Sequence, residues 1–328
     1  MISNSLSSFI KRKEFILLVI FAFVFALMSV LAPGKFLRPY NIQSMAFQLP
    51  EFGILAIAMM VVIVSGGINL SITYTATLSS IVGAVAIVAM NQAGAADWEA
   101  ILAGVVIALA IGLACGAING FVVAYVGVTP MLVTLGTMTL FEGVSLNITK
   151  GGAISGFPDA FLWFGNEAVL GVPVPMILFL LVVLASWYLL GRSRFGFSVY
   201  MIGCNPRATM FSGINVKKVL FSVYLFSALL CAISGLIMSS RYNSAKESYG
   251  SSYLLQSLAA AVLGGTDIAG GHGSLSGTIL AVMILQVISS GTNIIGVNRY
   301  LTNIIMGAIL IFVLALNFLS SRREIRKI

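Results

Sequence analysis

Uncharged hydrogen-bonding side chains cluster in one part of this chain, inside segments that are otherwise apolar. The stretch 119–147 contains the polar residues Asn119, Thr134, Thr137, Thr139, Glu142 and Asn147. Hydroxyl and amide groups can both donate and accept hydrogen bonds, which suits a neutral solute with several hydroxyl groups. We therefore predict that a translocation path is lined by Asn69, Asn119, Thr134, Thr137 and Glu142. The alternative for each threonine or asparagine is a hydrogen bond between neighbouring helices.

Glu142 is the one acidic residue that the sequence suggests for the middle of the membrane. Transport coupled to a proton or sodium gradient usually needs an ionisable group there, because a charge must change along the path. A single candidate is weak support for such coupling. A secondary transporter or facilitator is therefore kept as the alternative function, and an intramembrane enzyme as a further class.

Motifs for catalysis and nucleotide binding are absent from the sequence. There is no phosphate-binding GxxxxGK[ST], no HExxH and no GxSxG. The one histidine, His272, lies in the glycine-rich turn 269–273, where an imidazole more often makes a local hydrogen bond. We predict no catalytic residue, no metal site and no cofactor in this chain, so that any ATP and magnesium would belong to a partner chain.

The composition is that of an integral membrane protein. Only 9% of the 328 residues are charged and 59% are hydrophobic, with a mean hydropathy of +1.05, whereas a soluble domain carries about 25% charged residues. Long continuous apolar runs indicate helices rather than the alternating strands of a barrel. The net charge of +8 is spread around these runs and indicates topology rather than nucleic-acid binding.

Ten helical segments can be placed along the chain. They lie at about 14–33, 49–65, 71–91, 100–126, 130–149, 174–191, 217–240, 253–265, 274–292 and 300–320. Most cations fall on one side when both termini are placed in the cytoplasm, as the positive-inside rule requires. The predicted fold is a single all-α transmembrane domain over residues 1–328.

Two of these segments, 49–65 and 253–265, are shorter than the roughly 20 residues that cross a bilayer. Each ends in a glycine pair followed by a polar residue, in Gly66-Gly67-Ile68-Asn69 and Gly264-Gly265-Thr266-Asp267. Breaks of this kind are tolerated at membrane depth only within protein or beside a watery cavity. We expect neighbouring helices to shield both segments, and both to approach the path.

The loop 192–218 is a polar interruption with five cations and no acidic residue, which places it in the cytoplasm. Asn205-Pro206 is typical of an N-cap followed by proline at the first helical position, and Gly213 is typical of a left-handed residue after a helix end. The pattern predicts a two-turn helix, Pro206–Ser212. A helix this short is marginal alone, so we expect a partner protein to dock on it.

Several separated motifs resemble the permeases of ribose-type ABC importers. They are VIVSGGINLS (62–71), NGFVVAYVGVTPMLVTLGTM (119–138), the run from Gly203 to Ile214, AAAVLGGTDIAGGHGSLSGT (259–278) and GTNIIGVNRY (291–300). The resemblance implies a multi-pass protein of the bacterial inner membrane, a cytosolic ATP-binding subunit and an external solute-binding protein. It also implies that the ATPase is contacted by Asn205, Pro206, Arg207, Ala208, Ser212, Gly213 and Ile214. Asp159 and Glu167 are candidate contacts for the solute-binding protein.

A finer resemblance concerns the cargo. The segments SGFPDAF, VLGVPVP and SAKESYGSSYLL look most like the smaller permease of autoinducer-2 importers, whose cargo is a sugar-derived diol. The sequence leaves ribose, galactose and autoinducer-2 open. Many family members have aspartate at the position of Asn69 and an acidic pair where this chain has Leu254 and Gln256. These departures leave open whether the second permease subunit is a copy of this chain or a paralogue.

Overall fold

The computed structural model describes residues 13–298 and, beyond them, residues 301–302, 304–305, 307–308 and 311. Its helices are α1 Lys13–Leu31, α2 Pro39–Val64, α3 Ile72–Gln92, α4 Asp97–Phe121, α5 Pro130–Thr149, α6 Asp159–Asn166, α7 Val174–Gly191, α8 Arg194–Cys204, α9 Pro206–Phe211, α10 Val216–Tyr242, α11 Tyr253–Leu263 and α12 Leu275–Ile294. A π-helical turn, Val122–Val126, extends α4. Two short strands, β1 Ala168–Val169 and β2 Val172–Pro173, form an antiparallel hairpin.

Eight of these helices are long and apolar enough to cross a membrane: α1, α2, α3, α4, α5, α7, α10 and α12. The predicted polytopic helical membrane fold is confirmed. The predicted tenth segment, 300–320, and both chain termini lie largely or wholly outside the described residues. We name the end of the bundle that carries the loop 192–218 the basic end, and the other end the opposite end.

Helix α2 is the centre of the bundle. Every residue from Leu49 to Val64 is buried, and the helix packs against α7, α10, α11 and α12. A helix that is apolar all round belongs in an interior. The expectation that neighbours shield this segment is confirmed.

The predicted start of this segment at residue 49 is wrong. Helix α2 begins at Pro39, and Pro50 lies inside it. Pro39 occupies the first turn, where a missing backbone N–H costs nothing, and the preceding Arg38 is extended, as a residue before proline prefers. Buried neighbours on all sides hold the helix together at Pro50, so the proline does not end it.

Small residues bring α4 and α10 into close contact. Gly112, Gly116 and Gly120 recur every four residues along α4. An added Cβ at Gly112 would come within 2.6 Å of Ala232 Cβ, and one at Gly116 within 2.6 Å of Ala228 Cβ. Backbones that approach this closely gain van der Waals contact, which is the main attraction between helices in lipid.

Candidate functional site

The predicted capped helix of the central loop is present as α9, Pro206–Phe211, one residue shorter than expected. The Asn205 side-chain oxygen accepts a hydrogen bond from the Ala208 backbone N–H at 3.0 Å, and Pro206 occupies the first turn. Ser212 ends the helix, and Gly213 has a φ of +81°. The next helix begins in the same manner, because Asn215 accepts from the Lys218 N–H at 3.1 Å.

Helix α9 is short, lies outside the candidate spans and exposes large apolar side chains. Phe211 is 86% exposed and Met210 is 58% exposed, whereas Thr209 points into the protein. Six of the seven predicted ATPase contacts are also exposed: Asn205, Pro206, Arg207, Ala208, Ser212 and Gly213. Ile214 is half-buried. We call the surface formed by residues 205–213 the docking surface.

The helix that precedes α9 anchors this surface to the core. This helix, α8, was not predicted from the sequence. Its N-cap is Ser193, whose hydroxyl accepts a hydrogen bond from the Gly196 N–H. Near its end, Gly203 lies so close to the Val64 carbonyl and the Gly271 amide that no side chain fits. The Gly271 N–H donates to the Val64 carbonyl at 2.8 Å. We call this meeting of Val64, Gly203 and Gly271 the glycine junction.

A tyrosine reinforces the glycine junction from the side of α8. The Tyr200 hydroxyl donates to the Gly273 carbonyl at 3.0 Å. Burial raises the pKa of this phenol above its ordinary value, so the hydroxyl stays a neutral donor. The docking surface is thus joined by one rigid helix to the end of α2 and to the turn before α12.

The polar cluster predicted for the path is a continuous hydrogen-bonded network. Thr137 Oγ1 donates to Asn119 Oδ1 at 2.6 Å, and Asn119 Nδ2 donates to Ser71 Oγ at 2.9 Å. Ser71 Oγ in turn donates to Asn69 Oδ1 at 2.8 Å. Thr134 joins from α5 by donating to the Ile68 carbonyl at 3.0 Å. The structure therefore brings together four of the five predicted residues.

These residues are buried and satisfy one another. Asn69, Asn119 and Thr134 are at most 2% exposed and Thr137 is 9% exposed. Asn69 Nδ2 also donates to Ser227 Oγ on α10 at 3.3 Å, a bond that an aspartate could not donate. The network ties α3, α4, α5 and α10 together, which is the arrangement of the helix-bonding alternative. A role along the path stays a prediction.

Glu142 lies apart from this network. Its Oε1 accepts a hydrogen bond from the Tyr74 hydroxyl at 3.0 Å. Two other polar residues of the same stretch, Thr139 and Asn147, are exposed, and the Thr139 hydroxyl donates to the Leu135 carbonyl of its own helix. They face away from the interior that the network occupies.

A polar cavity of about 340 Å³ lies at the opposite end, between α2, α11 and α12. It is lined by Gln48, Phe52, Tyr242, Ser252, Tyr253, Gln256, Leu285, Gln286, Ser289, Asn293, Val297 and Thr302. None of these lining residues carries a charge. Gln286 Nε2 donates to Gln48 Oε1 at 3.3 Å across the cavity wall, so amide groups from two central helices meet there.

A buried carboxylate beside this cavity was missed by the sequence analysis. Glu51 is fully buried in α2. Its Oε1 accepts from Arg241 Nη1 at 2.7 Å, and its Oε2 accepts from the hydroxyls of Tyr242 at 2.9 Å and Tyr253 at 3.1 Å. Glu142 is therefore not the only acidic residue inside the bundle. An acidic residue directly after a proline resembles the start of a segment, and the partners of Glu51 are far away in the chain.

Comparison with known proteins agrees with this architecture. Residues 41–314 match the family described as branched-chain amino acid transport system / permease component. A protein of Yersinia enterocolitica is 37% identical over 297 residues, covering 88% of this chain and 87% of the relative. A protein of Photorhabdus temperata is 34% identical over 320 residues, covering 95% and 92%. Both are named autoinducer 2 import system permease protein LsrD.

A protein of the same name in Escherichia coli K12 is 36% identical over 296 residues, covering 88% of this chain and 87% of the relative. No solved structure gives a significant match. The predicted resemblance to importer permeases is confirmed over nearly the whole chain, and the eight candidate spans are those of a multi-pass transport subunit. The chain belongs to the family of branched-chain amino acid transport system permease components.

Proposed function

We propose that this chain is the transmembrane subunit of an ABC importer in the bacterial inner membrane, and that it admits autoinducer-2 or a closely related sugar-derived solute. The proposal for the cargo comes from the relatives, which are named as autoinducer 2 import permeases and align with 88% or more of this chain. ATP and magnesium would bind to a separate subunit, and this chain would open and close the path.

The observation that carries the proposal is the docking surface. A two-turn helix with Phe211 86% exposed and Met210 58% exposed presents apolar area outside the candidate spans. Exposed apolar groups of this kind mark protein contacts. Arg207 beside them adds a charge that orients a partner. An ATP-binding subunit with an apolar groove and an acidic rim fits this surface.

Two further partners follow from the same assignment. A solute-binding protein would dock at the opposite end, where Asp159 and Glu167 are exposed on either side of α6. A second permease subunit, either a copy of this chain or a paralogue, would complete the path. Co-purification from cells that express the whole importer tests both partners, and mass spectrometry of the complex distinguishes the homodimer from the heterodimer.

The experiment that tests docking of the ATP-binding subunit removes the phenyl ring of Phe211 from the docking surface. We expect Phe211→Ser to weaken co-purification of the ATP-binding subunit about 30-fold, the loss typical of one interface hot spot of about 2 kcal/mol. The control is Phe164→Ser, because Phe164 is also exposed (44%) but lies on α6 at the opposite end. Co-purification of the ATP-binding subunit should fall only in the Phe211 variant, and uptake of autoinducer-2 by that variant should fall with it.

Two results would count against this function. One is full uptake of labelled autoinducer-2 in cells that lack the ATP-binding subunit, which would support a secondary transporter or facilitator. The other is uptake of labelled ribose, galactose or leucine in place of autoinducer-2, which would keep the importer but change its cargo.

A further inference from the structure

We propose that the polar cavity holds the cargo during transport, and that it selects an uncharged, polyhydroxylated solute of about monosaccharide size. This inference rests on the proposed function and adds to it a site and a selection rule. The sequence suggested a neutral solute with several hydroxyl groups but not this site, and four of the five predicted path residues lie in the buried network instead.

The amide groups of the cavity supply hydrogen-bond donors and acceptors for the hydroxyl groups of a solute. Gln48 uses its Nε2 to bond Ser44 at 3.0 Å and its Oε1 to accept from Gln286. Gln286 Oε1 has no hydrogen-bond partner among the described residues, and the same is true of the Gln256 side chain. Each amide oxygen accepts from a hydroxyl and each amide nitrogen donates to one, so neighbouring hydroxyls of one solute can be bonded together.

The tyrosines contribute ring surface rather than hydroxyl donors. Tyr242 and Tyr253 both line the cavity, but their hydroxyl hydrogens already point to Glu51 Oε2. Phe52 packs beside Tyr253 with ring centroids 6.0 Å apart. Apolar ring area next to a few placed polar groups is the usual composition of a small-molecule site. Such area suits the C–H groups of a sugar-derived ring.

None of the described residues that line the cavity carries a charge, and this sets the selection rule. Glu51 and Arg241, which lie nearby, form an ion pair with each other at 2.7 Å, and neither of them lines the cavity. A phosphate group or an amino-acid zwitterion would lose its hydration there without gaining an opposite charge, which is unfavourable. A neutral solute loses only hydroxyl hydration, and the amides replace it.

The volume of the cavity limits the size of the solute that it can hold. About 340 Å³ is at the small end of the 300–1,000 Å³ found for small-molecule sites. A single sugar ring or an open-chain derivative fits, whereas a disaccharide would require the cavity to widen.

The test replaces one amide by an apolar side chain of similar shape. In cells that express the whole importer, Gln286→Met should lower uptake of labelled autoinducer-2 about tenfold, the effect of losing one or two hydrogen bonds to a hydroxyl. Gln92→Met is the matched control, because Gln92 is exposed at the end of α3. Membrane level and co-purification of the ATP-binding subunit should be normal in both variants, and Gln286→Met should lose no more thermal stability than the one hydrogen bond to Gln48 accounts for.

Direct binding tests the selection rule. The intact permease–ATPase complex in lipid nanodiscs, without the solute-binding protein, is mixed in turn with autoinducer-2, ribose 5-phosphate and leucine. Saturation-transfer NMR should show contact with autoinducer-2 alone, and Gln286→Met should remove it. Undiminished uptake in Gln286→Met would overturn the site, and an equally strong signal from either charged probe would overturn the selection rule.

Failure of this inference can be told apart from failure of the proposed function. Wild-type uptake is measured first. If wild-type cells import autoinducer-2 but Gln286→Met does so equally well, the function stands and the cavity is not the site. If wild-type cells import leucine instead, the proposed cargo and this inference both fall.

Discussion

Thr137 and Asn119 are joined by a side-chain hydrogen bond of 2.6 Å between α5 and α4. The bond lies in the interior, and through Asn119 it continues to Ser71 at the start of α3. Three helices therefore share one chain of donors and acceptors. Removing any one member leaves a buried partner without its hydrogen bond.

We expect Thr137→Val to lower the unfolding free energy by about 0.6–1.7 kcal/mol, the range for hydrogen bonds between membrane helices. Uptake should fall as well if the network borders the path. The control is Thr139→Val, two residues away on the exposed side of the same helix. Thermal unfolding in detergent and labelled-cargo uptake measure the two effects, and equal behaviour of the two variants would contradict the prediction.

Gly213→Val should uncouple transport without unfolding the protein. A non-glycine residue at a φ of +81° is strained by about 1–2 kcal/mol, too little to unfold the bundle but enough to re-aim α9. Gly191→Val is the matched control. A Cβ added at Gly191 or at Gly213 would meet no atom within 4 Å, but Gly191 does not have a positive φ. Co-purification of the ATP-binding subunit should fall about tenfold in the first variant only.

Arg207→Glu should act in the same direction as Gly213→Val, by reversing the charge on the docking surface. The expected signature is a slower association with the ATP-binding subunit that depends on salt concentration. Normal transport by both variants would mean that residues 205–213 are not the coupling element. Surface plasmon resonance at two salt concentrations measures the effect.

Gly203→Ala should damage the glycine junction severely. The added Cβ would overlap the Val64 carbonyl and the Gly271 amide, and backbone atoms cannot move aside as side chains can. By contrast, Gly136→Ala meets no atom within 4 Å and should be neutral or stabilising by up to about 1 kcal/mol, since alanine favours helices. Thermal unfolding compares them, and similar melting temperatures would show that the junction is not tightly packed.

Arg241→Gln should be more damaging than the double variant Glu51→Gln with Arg241→Gln. The single change leaves a buried carboxylate without its cation, a loss of about 3–5 kcal/mol in buried pairs. The double change leaves no unpaired charge. Unfolding measurements on both variants and on Glu51→Gln complete a double-mutant cycle, and a coupling energy near zero would show that the pair contributes nothing.

Local chemistry made much of the fold predictable. Asn205, Pro206 and Gly213 each have a backbone preference that acts on adjacent residues, and the structure has all three in the expected roles. Long apolar runs likewise predicted seven of the spans to within a few residues of their ends. The exception is α2, where tertiary packing overrode the usual effect of Pro50.

What could not be predicted depends on residues distant in the chain. Glu51 is bonded by residues 190–202 positions away, so no local pattern shows that its charge is compensated. Helix α8, with 11 residues, is too short to resemble a span and is held by contacts at Gly203 and Tyr200. Gln256 departs from the family pattern, and the sequence alone could not show that it lies in the wall of a cavity whose described lining residues are all uncharged.

The distance in sequence between Glu51 and Arg241 also bears on how the protein is made. At about 5–20 residues per second of synthesis, the 190 residues between them take about 10–40 s to follow. During that interval α2 has entered the membrane with a carboxylate that lacks its arginine and both tyrosines. A charged side chain in mid-membrane costs about 2.5–3.5 kcal/mol on the insertion scale, which the apolar remainder of α2 offsets. Chains truncated before Arg241 would thus be inserted but incomplete, and membrane proteases should remove them sooner than full-length chains.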